Sequence, residues 1–163
     1  MKKLYIFIWI LCLLLSYGDL RAQQTGSETS VLWGYCNDEI ATAVGAGNRM
    51  KLSGAIYVPA EVAALYQNDL IKSIHIGLSS DVTELSVFIT PELNAPQTVK
   101  QEVGTGISGW NEITLESPYV ITDKGFYVGY TCIGKNQLGV SNLFSENGNW
   151  IGANEEWENY ASS

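Results

Sequence analysis

The stretch from Trp110 to Ile133, WNEITLESPYVITDKGFYVGYTCI, decides the fold class of this chain. Apolar and polar residues alternate over Trp110 to Leu115, which is the period of two expected of a half-buried strand. Asp123-Lys124-Gly125 has the composition of a turn, and Phe126 to Ile133 is rich in aromatic and β-branched residues. The stretch therefore predicts two core strands joined by a short corner, and Ser117-Pro118 is expected to end the first because proline cannot donate to a strand ladder.

Most of the remaining chain also has the pattern of short strands. Further strands are predicted at Leu32–Cys36, Lys51–Val58, Leu70–Leu78, Thr83–Thr90 and Gln97–Val103, and a last hairpin at Trp150–Gly152 and Trp157–Tyr160. The strand at 97–103 is polar and is expected at a sheet edge, whereas residues 134–149 are expected to form a long loop. Eight to nine strands without βαβ alternation predict an all-β, two-sheet antiparallel sandwich of jelly-roll type.

One short helix is predicted between the second and third of these strands. Pro59 and Glu61 suit the first turn of a helix that runs over residues 60–66. Val62, Leu65 and Tyr66 are spaced as neighbours on one helical face, so we expect all three to face the sheet.

The N-terminal segment has the build of a secretory signal peptide. Lys2 and Lys3 precede an apolar run, and a polar tail ends at Ala22, where cleavage is expected. The apolar run is shorter than the roughly 20 residues that a membrane-spanning helix needs. The sequence therefore predicts a signal peptide at 1–22, a flexible leader at 23–30 and a β-sandwich domain at 31–163 in a protein exported to the cell surface or beyond.

The charge of the mature chain excludes two classes of partner. The whole chain has 9 Lys+Arg and 17 Asp+Glu, and the predicted signal peptide holds Lys2, Lys3, Arg21 and Asp19. The mature chain therefore carries 6 basic and 16 acidic residues, a net charge of −10. This acidity argues against binding of nucleic acid and against anionic membrane surfaces, and no membrane insertion of the mature chain is expected.

No catalytic set of residues stands out. His75 is the only histidine and lies on a predicted regular strand, so neither Cys36 nor Cys132 has a convincing base. Adjacent loop acids such as Glu155-Glu156 are more typical of a solvated surface than of a glycosidase pair. We expect no enzyme activity, with a secreted hydrolase of the peptidase or glycosidase class as the alternative.

Two further chemical features are left open by the sequence. An exported chain can form a disulfide between Cys36 and Cys132, and the alternative is that both are small buried hydrophobic residues. No cofactor is expected, with a structural calcium ion on loop acids such as Asp81 and Glu84, or Asp38 and Glu39, as the alternative.

Aromatic and amide side chains near the chain's C-terminal end indicate binding. A flat aromatic surface beside amide groups suits a sugar or an extended peptide, while the alternative is that the tryptophans pack in the core. The candidate ligand-binding residues are Trp150, Trp157, Tyr160, Asn147 and Asn149.

The order of these segments resembles a known family. The segments that carry the resemblance are PAEVAALY at 59–66, LIKSIHI at 70–76, LSVFI at 85–89, GWNEITLESPYVI at 109–121, FYVGY at 126–130 and GNW at 148–150. In this order they resemble a jelly-roll-like β-sandwich accessory module of secreted multidomain surface proteins of Bacteroidetes. The resemblance implies a non-catalytic binding or structural unit, and it assigns no functional residue.

The resemblance also bears on the end of the chain. Such modules usually end with one more strand after the last tryptophan segment, so a shortened module or a fragment of a larger secreted protein is expected. An edge left unpaired would favour self-association or a partner that supplies a strand. Taken together, the sequence predicts an extracellular or cell-surface binding or accessory module for a carbohydrate or protein ligand.

Overall fold

The computed structural model describes residues 30–143, 145–154 and 156–160. The chain divides into two compact units, Met1–Leu32 and Trp33–Ser163. The predicted signal peptide and most of the leader lie outside the described residues, and in the first unit only Ser30, Val31 and Leu32 are described, all three exposed and without regular structure. Everything below concerns the second unit.

The second unit consists mostly of antiparallel strands. In its described part the strands are β1 (Thr42–Val44), β2 (Met50–Val58), β3 (Leu70–Leu78), β4 (Val82–Thr90), β5 (Val99–Gly106), β6 (Gly109–Val120), β7 (Phe126–Gly134), β8 (Leu138–Val140), β9 (Trp150–Ala153) and β10 (Glu156–Asn159). Helix α1 spans Ala60–Ala63 and continues as a 3-10 turn over Ala64–Tyr66. No helix within the described ranges has both the length and the apolar character that a membrane span requires.

Two sheets make up the sandwich. The larger has the order β10-β9-β2-β7-β4-β5, with β7 between β2 and β4, and the smaller has the order β1-β8-β3-β6. From β2 to β7 the chain crosses between the sheets four times, and β2 and β7 become neighbours. This connectivity is jelly-roll-like, and the predicted all-β sandwich is confirmed.

The core lies between the facing sides of the two sheets. Its buried side chains alternate along each strand, for example Leu85, Val87 and Ile89 in β4. Their outward neighbours Ser86, Phe88 and Thr90 belong to the opposite face of the six-stranded sheet. The alternation therefore defines an outer face of this sheet, and the candidate site lies there.

The structure corrects several details of the prediction. Strand β6 does not end at Ser117-Pro118. It continues to Val120, because β6 is an edge strand in which Pro118 need not donate a hydrogen bond. The pairing of β6 with β3 shifts in register between Ser73↔Thr114 and Ile71↔Tyr119. Leu65 does not face the sheet: it lies in the 3-10 turn and is 78% exposed, whereas Ala63 is buried.

Three short segments were also assigned wrongly. Residues 32–36 form no strand, because they pair with no strand in the described part of the chain. Conversely, β8 lies within the segment 134–149 that was predicted as a loop, β1 lies where no strand was predicted, and each has only three residues. They pair with each other from Thr42↔Val140 to Val44↔Leu138, a contact between distant segments that no local pattern indicates.

Candidate functional site

Three aromatic side chains form a row on the outer face of the six-stranded sheet. Tyr57 of β2 lies directly opposite Tyr127 of β7, and their ring centroids are 4.8 Å apart with an interplanar angle of 41°. Trp150 of β9 contacts Tyr127 edge-on, with centroids 5.6 Å apart at 90°. All three side chains are half-buried. We call Tyr57, Tyr127 and Trp150 the aromatic row.

The pairing of three strands explains how the rings of the row meet. Ala55 of β2 lies opposite both Gly129 of β7 and Trp150 of β9. The space above Gly129 is occupied by the ring of Phe88 of β4, since an added Cβ at Gly129 would lie 2.5 Å from Phe88 Cζ. The row is therefore built by the pairing of β7, β2 and β9 and does not depend on a flexible loop.

The loop before β9 is fixed to the end of this row by backbone and side-chain hydrogen bonds. The backbone N–H of Tyr57 donates to the carbonyl oxygen of Asn147 at 2.7 Å. The N–H of Asn147 donates to Ser145 Oγ at 3.2 Å, and Asn149 Nδ2 donates to the carbonyl of Ser145 at 3.2 Å. Both predicted amide residues therefore lie beside the row, where they hold the loop in place.

Two aromatic residues near the start of the fold lie beside the loop that precedes β9. Tyr35 packs against Gly148, where an added Cβ would lie 3.0 Å from the Tyr35 Cβ, and its ring contacts Trp33 edge-on at 5.0 Å. The side chain of Asn147 hydrogen-bonds the Tyr35 phenol. Trp33 is 37% exposed, so this part of the surface remains open to solvent.

Burial raises the pKa of two phenols at this end of the sheet, Tyr35 and Tyr127. Burial raises the pKa of Tyr35, the hydrogen bond from Asn147 lowers it, and the charge of Glu61 raises it again. Burial also raises the pKa of Tyr127, with smaller contributions from Tyr57 and Glu92. Neutral phenols can donate and accept hydrogen bonds, and the two carboxylates nearby can accept them. This end of the sheet therefore offers aromatic faces, phenols, amides and acids together.

The other two predicted residues, Trp157 and Tyr160, lie along the same face at the β9–β10 hairpin. Trp157 packs on Gly152, where an added Cβ would be 2.9 Å from the indole, and it contacts the buried ring of Phe88 edge-on at 6.1 Å. Trp157 thus covers the outer face and contributes to stability. Tyr160 is 49% exposed, and its N–H donates to the carbonyl of Asn149 at 2.9 Å.

Sequence reasoning missed Tyr57 and Tyr127 as site residues. Each occupies an outward position in a strand whose alternate residues are in the core, and that alternation is visible in the sequence. Their contact depends on the β2–β7 pairing, which joins segments about 70 residues apart and is not a local signal.

His75 lies outside this site. It is on the outer face of the four-stranded sheet, opposite Glu112 of β6, and its Nε2 is 3.4 Å from a Glu112 carboxylate oxygen. Both side chains are substantially exposed, at 32% and 60%. Such an exposed pair contributes little to stability.

The cysteines and acids that sequence analysis singled out are dispersed. Of the two alternatives left open for the cysteines, the structure has both thiols free: Cys36 is exposed, and Cys132 is buried in the core. Burial raises the pKa of the Cys132 thiol to about 12. Across residues 30–143, 145–154 and 156–160, no three His, Cys, Asp or Glu side chains are grouped as a metal site.

Comparisons with protein-family models, with curated proteins and with solved structures found no match to this chain.

Proposed function

We propose that the chain is a non-catalytic carbohydrate-binding module that acts outside the cell or at its surface, with its ligand on the aromatic row. The observation that carries the proposal is the continuous contact of Tyr57, Tyr127 and Trp150 on the outer face of the six-stranded sheet. Tyrosine and tryptophan combine an apolar ring with a polar group, which suits a ligand that has both apolar faces and hydroxyl edges.

A sugar ring has this combination of surfaces. Its C–H groups form an apolar face that can lie on an aromatic ring, and its hydroxyl groups can donate to Glu61 and Glu92 or bond to the phenols of Tyr35 and Tyr127. Hydrogen bonds to a carboxylate are stronger than those between neutral groups. The shallow curvature of a sheet face also suits a chain of sugars better than one small molecule.

The apolar run before Ala22 supports export, which fits a ligand found outside the cell. The likeness of residues 33–160 to accessory modules of secreted surface proteins also agrees with a binding role. A hydrolase is the competing class. Its test is the variant His75→Ala: loss of turnover with retained folding in any assay that detects turnover would favour the enzyme.

A second contact surface is proposed at the edge formed by β10. Among the described residues β10 pairs with β9 and with no other strand, so the backbone groups of 156–158 on the other side can pair with a strand from another chain. Sedimentation of the purified domain tests this self-association. A monomer at high concentration would exclude a second copy as the partner.

The binding role is tested by affinity electrophoresis through gels that contain soluble polysaccharides, with neutral and acidic polymers in the panel. Retardation by at least one polymer is expected for the wild-type chain and is expected to be lost in Tyr127→Ala. The matched control is Trp110→Ala, which removes an exposed aromatic ring from the four-stranded sheet. Lack of retardation by every polymer, or equal loss in both variants, would contradict the proposal.

A further inference from the structure

The outer face that holds the aromatic row ends in a cationic pocket at its other end. The pocket has a volume of about 410 Å³ and is lined by Arg49, Ser80, Asp81, Val82, Thr83, Ile133, Gly134 and Lys135. Lys51 lies directly opposite Ile133, which places a third cation at its rim. We call this group of Arg49, Lys51 and Lys135 the cationic cluster.

The cluster is unexpected in so acidic a chain. Residues 30–163 contain only six Lys and Arg residues, and three of them lie here. By contrast, Lys100 is paired with Glu102 at 2.8 Å. None of the three cluster residues forms an ion pair with any side chain in the described part of the molecule. Their charges are therefore available to a ligand.

The pocket also provides hydrogen-bond donors that are held in place. Arg49 donates from its guanidinium to Thr83 Oγ1, which orients the guanidinium and leaves the Thr83 hydroxyl proton free to donate. The acid in the pocket, Asp81, accepts the backbone N–H of Ser108 at 2.9 Å through Oδ1. A planar guanidinium beside an ammonium group is well suited to a carboxylate or a sulfate.

The pocket and the aromatic row belong to one continuous face. Lys51 and Tyr57 are both outward residues of β2, six positions apart, which corresponds to about 20 Å along a strand. A chain of sugars that lies along β2 can therefore reach both ends. At physiological salt, interactions between exposed charges are screened over about 8 Å. The cluster therefore attracts an anion that lies close to it, although the chain as a whole is negatively charged.

We propose that the ligand is an acidic polysaccharide, whose carboxylate or sulfate group binds the cationic cluster while neighbouring sugar units lie on the aromatic row. This inference rests on the proposed carbohydrate-binding function and specifies its ligand class. A carboxylate and a sulfate are both oxyanions carried by a sugar, and the test distinguishes between the two.

The test compares two matched pairs of polymers in affinity gels: polygalacturonate with its carboxyl-reduced form, and dextran sulfate with dextran. Tighter binding of at least one acidic polymer than of its neutral counterpart is expected. Arg49→Gln and Lys135→Gln are each expected to weaken that binding about tenfold, as for loss of one charge-assisted hydrogen bond. The control Lys72→Gln removes one positive charge from β3 of the other sheet and is expected to bind as the wild type does.

The outcomes separate this inference from the proposed function. Equal binding of acidic and neutral polymers, or acidic binding that Arg49→Gln and Lys135→Gln leave unchanged, would overturn the acidic-ligand inference and leave the carbohydrate-binding role standing. Failure of every polymer, neutral or acidic, to bind would overturn both. Arg49 and Lys135 are exposed, so neither variant is expected to change the thermal unfolding midpoint, which is measured alongside.

Discussion

The phenol of Tyr130, in the six-stranded sheet, donates a hydrogen bond to the backbone carbonyl of Gly77, in the four-stranded sheet, at 3.3 Å. The bond crosses the core and joins β7 to β3. Burial raises the pKa of Tyr130 well above its usual range, so the phenol is protonated and can donate at neutral pH.

Replacement of this phenol is expected to destabilise the sandwich. Tyr130→Phe should lower the free energy of unfolding by about 1 kcal/mol or somewhat more, because the hydrogen bond between the phenol and the Gly77 carbonyl is lost. Urea denaturation measures the change. Tyr127→Phe removes a phenol from the outer face and serves as the control. An equal loss in both variants would show that the cross-core bond has no special role.

Gly129 is expected to tolerate no side chain. An added Cβ would lie 2.5 Å from Phe88 Cζ and 2.6 Å from the Gly54 carbonyl oxygen, and the backbone atom cannot move aside easily. Gly129→Ala should cost about 1–3 kcal/mol, as overpacking does in other cores. Gly47→Ala is the control, since its added Cβ would meet no described atom within 4 Å apart from those of its own residue and chain neighbours. Similar denaturation midpoints for the two variants would contradict the packing described for Phe88.

Stability is expected to fall at alkaline pH because of Cys132. Burial raises the thiol pKa from 9.0 to about 12, so between these values the unfolded chain releases a proton that the folded chain retains. The stabilisation that comes from the protonated Cys132 thiol is fully present below pH 9 and is lost as the pH rises towards 12. Cys132→Ala should unfold with a weaker pH dependence in that range, although it is less stable throughout. Parallel pH profiles for variant and wild type would refute this cause.

We expect the protein to be exported and its mature N-terminus to be Gln23. The signal-peptide pattern places cleavage after Ala22. N-terminal sequencing of protein from the culture medium or cell surface measures this directly. A protein that begins at Met1 and remains inside the cell would contradict export.

The sequence predicted those features of the fold that depend on local patterns. The alternation in β7 and the turn at Asp123-Lys124-Gly125 were sufficient to locate a central strand, and the pattern of Pro59 and Glu61 located the helix. The three-residue strands β1 and β8 were missed because their pairing joins distant segments. Short strands of this kind have too few residues for a period to be recognised.

The candidate site was predicted only in part for the same reason. Trp150 and the amides of Asn147 and Asn149 were found because they are close together in sequence. Tyr57 and Tyr127 come together only through the pairing of β2 with β7. Arg49 and Lys135 likewise meet where the ends of these two strands pair, at Met50↔Gly134. Such contacts follow from register, which a single sequence does not reveal.

The most direct test of the binding surface is the response of individual indole N–H signals to a ligand in solution. Trp33, Trp110, Trp150 and Trp157 are distributed over both sheets and the N-terminal segment of the fold, so their NMR signals report the ligand's position. Titration with the polysaccharide that binds most tightly should shift the Trp150 indole signal and leave that of Trp110, on the four-stranded sheet, unchanged. A shift at Trp110 with none at Trp150 would contradict the account.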